Sequence, residues 1–79
     1  SPEELISPSI KTQTLNTFGV TLQTLQTSTT NSLILNKIGY IKNTIEDAYK
    51  VDMYRFQFKV FVDILTKEVK DIKDAIAVQ

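Results

Sequence analysis

The sequence predicts a mainly α-helical protein: a helical hairpin of two long amphipathic helices, preceded by a short N-terminal helical turn or tail. Three observations carry that prediction. Apolar residues recur three and four apart, first at Leu15, Phe18, Leu22 and Leu25, then at Ile34, Ile38, Ile41, Ile45 and Ala48, and last at Phe58, Phe61, Leu65, Val69, Ile72 and Ile76. Residues at those spacings share one face of a helix. Opposite charges stand four residues apart at Lys59–Asp63, Asp63–Lys67, Lys67–Asp71 and Lys70–Asp74, a register that builds one solvated helical face and that a strand would scatter. Cysteine and histidine are both absent, so disulfides and the commonest metal ligand are excluded as stabilisers of a small chain, and helix association is the device left.

The elements follow in order. Residues 1–9 form the tail. Ser1, Pro2, Glu3 and Glu4 have the pattern of a helix start, with a capping hydroxyl, a proline at the first helical position and acids in the first turn. Ser7, Pro8 and Ser9 then interrupt it, because a residue before proline is pushed out of the helical region. Either Ser7 caps a new helix with Pro8 at its first position, or the segment is a frayed tail with a kink.

Residues 10–50 are the first helical segment. Within it, positions 12–36 carry no charge, and Thr, Gln, Asn and Ser alternate with apolar residues. Thr is a mediocre helix former, but a strand would send Leu22 and Leu25 to opposite faces, so helix is preferred. The polar patch at 27–32 marks a loop, kink or stutter. Gly39 costs a helix about 1 kcal/mol relative to Ala, or beside Tyr40 lets a second helix approach closely. Glu46 and Lys50 add a pair four apart, acid first. A break falls somewhere in 49–54. Residues 52–78 are the second helix. Positions 54–60 alternate like a half-buried strand, but the apolar stripe and the charge register run on from them as helix.

Composition excludes several functions. Seventy-nine residues make one helical domain or less, an assembly subunit, and a domain this small buries only about 60% of its unfolded surface. The chain opens on Ser1 and not Met, as a processed, tag-derived or trimmed polypeptide does. Nine basic residues balance nine acidic ones, so the basic excess that drives nucleic-acid binding is missing and no nucleic-acid partner is expected. No apolar run nears the ~20 residues needed to cross a bilayer, no signal-peptide pattern is present, and the uncharged first helix lacks the basic belt of a membrane-surface helix. Asp63, Glu68, Asp71 and Asp74 each have a lysine within one turn, which makes them a solvated ion-pair face and not a metal site. Serines and threonines have no histidine base, and Gly19 and Gly39 are isolated, so no phosphate-cradling loop exists. Tyr40, Tyr49 and Tyr54 are expected at the edge of a core. No catalytic, cofactor-binding or metal-binding residue is predicted, and no cofactor.

What remains is surface. Both stripes approach the three-four repeat of a coiled-coil seam. Phe56, Val60, Val62 and Ile64 lie off the stripe of the second helix, which is therefore apolar around much of its circumference and calls for more than one neighbour. The expected function is a non-catalytic structural subunit that self-associates through its helical seams, with copies of itself as partners. The contact residues would be Leu15, Phe18, Leu22, Leu25, Ile38, Ile45, Phe58, Phe61, Leu65, Val69, Ile72 and Ile76. The alternative is a heteromeric binding module, a chaperone, adaptor or regulator that presents an amphipathic helix to another helical protein.

One resemblance bears on that choice. Residues 69–76, Val-Lys-Asp-Ile-Lys-Asp-Ala-Ile, with Gln79 at the end, resemble the C-terminal helix of bacterial type III secretion needle and inner-rod subunits. Thr24-Leu25-Gln26 and Leu35-Asn36-Lys37-Ile38 are similar to that family's first helix. Where the family's hairpin loop carries proline, residues 42–47 have none, and Val51-Asp52-Met53 stand at its usual Gln-containing start to the second helix. The resemblance implies a helical hairpin that stacks into a hollow filament at the cell surface or outside the cell. It implies that Val69, Ile72, Lys73, Asp74 and Ile76 pack C-terminal helices around a lumen. Without it, a cytoplasmic protein is expected.

Overall fold

The structure is a computed structural model, and it describes Ser1 and residues 3–79. The first helix, α1 (Pro8–Gln26), opens on Ser7, whose hydroxyl accepts from the Ile10 backbone N–H at 3.5 Å, with Pro8 in the first helical turn. Of the two readings of this segment, capping is the one that holds. The threonines do not break the helix, because they turn their hydroxyls onto its own carbonyls. Thr17 donates to Gln13 O, Thr21 to Thr17 O and Thr24 to Val20 O, each at 3.1 Å, the local bonding open to a helical Thr.

The chain then reverses. Thr27 N–H bonds back to Thr24 O and Ser28 N–H to Leu25 O, which ends α1. Asn31 caps the second helix, α2 (Ser32–Tyr49), its side-chain oxygen accepting from Leu33 N–H at 3.0 Å and Ile34 N–H at 3.1 Å. A second short turn leads to α3 (Arg55–Ala77), where the Gln57 side chain reaches back to accept from Tyr54 N–H at 2.9 Å.

The mainly α-helical expectation is met; the hairpin is not. Among the described residues there are three helices, because residues 27–31 make a complete reversal and not a kink. The stripes of Leu15–Leu25 and Ile34–Ala48, read as one face of one segment, are two faces turned toward each other. The second long helix starts at Arg55 and not at 52, and it ends at Ala77. The N-terminal helical start is also corrected: Glu3 and Glu4 lie in a turn, and Leu5 forms an isolated antiparallel bridge with Tyr54. Ile6 N–H donates to Met53 O and Arg55 N–H to Glu4 O, both at 2.7 Å, so the tail pairs with the second turn instead of coiling. The expectation for Pro2 lies outside the described residues.

Successive helices joined by tight turns run antiparallel, which gives an up-down-up bundle of 42 × 18 × 16 Å. Its core is one cluster: Leu15 and Leu22 from α1, Ile38, Ile41, Ile45 and Ala48 from α2, and Phe58, Leu65, Val69 and Ile72 from α3. Each end is tied. At one, the Gln79 amide donates to Ser28 O at 3.3 Å and its carbonyl accepts from the Thr29 hydroxyl. At the other, the ammonium of buried Lys11 donates to Val51 O, just past the carbonyl end of α2. That end of a helix carries partial negative charge, so the lysine stem packs in the core while its head is satisfied there. Between the ends, Lys42 donates to Gln23 and Gln26 across α1 and α2, each at 3.0 Å.

Candidate interaction surface

The residues expected to make contacts between chains make them within this one. Leu15, Leu22, Ile38, Ile45, Phe58, Leu65, Val69 and Ile72 are buried, and Phe18, Leu25, Phe61 and Ile76 are partly buried against them. Lys73 and Asp74 are apart from this group and exposed, with Asp74 paired to Lys70 at 2.7 Å. The seams are thus taken up largely within the bundle, although Phe18 and Val69 also line an open hollow between α1 and α3.

A row of exposed apolar residues is on α3. Phe56, Val60 and Ile64 stand four apart on the side away from the core and remain 54%, 50% and 54% exposed. Of the four off-stripe residues, only Val62 packs against the core. α3 already has two helical neighbours, and still this row is uncovered. It spans about 12 Å at 1.5 Å per residue.

The row widens toward α2. Lys37 of α2 and Glu68 of α3 pair at 3.0 Å, and in an antiparallel pair of helices three residues on from Lys37 puts Tyr40 about level with residues 64–65 of α3. Tyr40 is 74% exposed, which corrects its expected place at the edge of the core. Gly39 beside it does not admit a close helix either, since nothing lies within 4 Å of where its Cβ would be.

Charge frames the row. Lys59–Asp63 and Lys67–Asp71 pair at 3.0 and 2.9 Å. The expected Asp63–Lys67 and Glu46–Lys50 pairs are not formed, as Asp63 and Lys67 have each taken the partner on the other side. The hydrogen bond from Lys67 holds the Asp71 carboxyl below its usual range, helped by the charges of Lys67, Lys37 and Lys70. The same bond raises Lys67, and the bond to Asp74 raises Lys70. Arg55 has no ion-pair partner among the described residues.

Beside Phe56 the tail and α3 leave an open hollow of about 410 Å³, with Ile6, Phe56 and Phe58 as apolar lining and Arg55 and Lys59 among the residues around it. A second hollow, about 340 Å³, lies between α1 and α3 and is lined by Thr17, Phe18, Thr21, Thr66, Val69, Lys70, Lys73 and Asp74. Among the described residues no three His, Cys, Asp or Glu gather where they could hold a metal, and no helix is long and apolar enough to cross a membrane. The chain matches no protein family, no curated protein and no solved structure.

Sequence periodicity had isolated Phe56, Val60, Val62 and Ile64 as residues a single seam could not absorb, and all but Val62 are exposed. It missed Tyr40 and Arg55. Tyr40 had no signal of its own, because its exposure follows from the turn at 27–31 and from the roll of α2 that burial of Ile38, Ile41, Ile45 and Ala48 sets.

Proposed function

We propose that this chain is a non-catalytic subunit that self-associates through the outward face of α3. The observation that carries this reading is the row Phe56, Val60 and Ile64, half exposed on a helix that already has two partners in its own bundle. Apolar side chains in a row, rimmed by paired charges, mark contact sites more often than chance exposure does. The absence of histidine and cysteine and the pairing of the α3 acids with lysines leave no group placed for acid–base or nucleophilic work.

The needle-like form of this reading asks Val69, Ile72 and Ile76 to pack between copies. In the bundle Val69 and Ile72 are buried against the other helices, so a filament would require α3 to leave them. A discrete oligomer of intact bundles requires no such opening. Light scattering across a concentration range tests the proposal. The mass should rise above that of one 9.0 kDa chain as concentration increases, and a well-folded monomer at every concentration would refute it.

A further inference from the structure

Resting on that reading, we infer that the oligomer is a two-fold dimer in which α3 packs antiparallel on α3 of a second copy, with Val60 on the axis. Two features of the face match themselves under that operation, and the second of them does not match under a parallel one.

The first is the apolar row. An axis through Val60 and perpendicular to α3 sets Val60 against its own copy, and Phe56 against Ile64 of the second copy. Both exchanged positions are apolar and more than half exposed, so no polar group is left beneath the contact.

The second is charge. Lys59 and Asp63 lie on the same flank of the row, one residue before the axis and three residues after it. The two-fold keeps that flank on the same side and reverses its direction. Lys59 then stands within about 3 Å, measured along the helix, of Asp63 of the second copy. Two such pairs form, each from an ion pair that already exists within a helix, which gives a closed ring of four alternating charges. A parallel pair would turn Lys59 and Asp63 toward the opposite flank, where Gln57 and Phe61 carry no charge. Antiparallel packing is therefore the orientation that charge selects.

The native chain has no cysteine, so a single introduced thiol reports the axis directly. Under mild oxidation Val60→Cys should form a disulfide-linked dimer at concentrations where Val20→Cys, on the outer face of α1, stays monomeric. Lys59→Asp and Asp63→Lys should each weaken self-association by about tenfold or more, because like charges then face each other across the axis. Mixing the two variants should restore a heterodimer, since each supplies the charges the other lost. Unchanged helical circular dichroism and unfolding midpoints would show that both variants are folded. If the wild-type chain dimerises but Val60→Cys does not cross-link, or if the two charge variants stay apart when mixed, the antiparallel arrangement is wrong while self-association stands. If the wild-type chain is monomeric throughout, both readings fall.

Discussion

α1 and α3 run side by side in one bundle and feed one core, yet they meet solvent in opposite ways. The outer face of α1 is uncharged, and its threonines spend their hydroxyls on their own helix at Thr17, Thr21 and Thr24. Its exposed large apolar residues, Ile10 and Val20, are ten residues apart. The outer face of α3 is dense with charge and nonetheless carries Phe56, Val60 and Ile64 in a row. Scattered apolar residues need no explanation, whereas a row does. The contrast teaches that the polar character of a helix does not say whether it is finished. α1 buries what it has to bury, and α3 does not.

The largest effects should come from the core, where the two helices ought to be alike. Leu22→Ala in α1 and Leu65→Ala in α3 each empty a buried site, at about 2–5 kcal/mol. Of a total stability near 0.05–0.15 kcal/mol per residue, that is enough to shift urea unfolding strongly in both. A mild effect at either position would mean that its helix is less committed to the core than the packing shows.

On the surface the helices should part. Val20→Asp and Ile64→Asp should each leave stability within about 0.5 kcal/mol of wild type. Only Ile64→Asp should abolish concentration-dependent association in sedimentation. Equal behaviour in sedimentation would erase the distinction between the two faces.

Gly39→Ala gives a smaller gain in the opposite direction. Nothing lies within 4 Å of the added Cβ, and α2 has ordinary helical backbone there, since no glycine has positive φ. Thermal unfolding should show stabilisation of about 1 kcal/mol.

The smallest effect is a pH dependence carried by the ion pairs of α3, whereas residues 12–36 contain no ionisable side chain. Asp71 is held below its usual range by the Lys67 hydrogen bond. Its contribution to stability is therefore complete above the ordinary carboxylate range and is lost as pH falls through its lowered value. Lys67, raised by the same bond, contributes below the ordinary lysine range and loses that contribution as pH rises through its raised value. Lys67→Met should flatten the acid side of the stability profile, and an unchanged slope would show that the pair is energetically silent, as many exposed pairs are.

Helix as the building block was legible in the sequence, because the spacing of Leu15 through Ile76 fits no other period. So were an interruption at 27–32 and three of the four ion pairs of α3, while Ser7 as a cap was one of two readings the sequence left open. The number of helices was not legible. The stripes on either side of Thr27 share the same three-four spacing, so the gap between them reads as a loop or kink, although the nine residues from Leu25 to Ile34 make about two and a half turns and put the second stripe on the opposite side of a continuous helix. Only the Asn31 cap and the bonds of Thr27 and Ser28 to the end of α1 turn that interruption into a reversal. Lys11 was illegible for a related reason: a lone lysine beside an apolar stripe looks solvated until Val51 O and the end of α2 are brought to it.

The sequence by itself determined that the chain is helical, that it has no histidine or cysteine for chemistry, and that α3 holds more apolar surface than one seam can cover. Those are properties of local spacing and residue type. Tertiary structure decided which of that surface is spent and which is left. Once α1 and α2 fold back on each other, α3 lies against both, and the stripe from Phe58 to Ile76 is consumed inside the bundle. A helix lying against two others still has an open side, and on α3 that side holds Phe56, Val60 and Ile64.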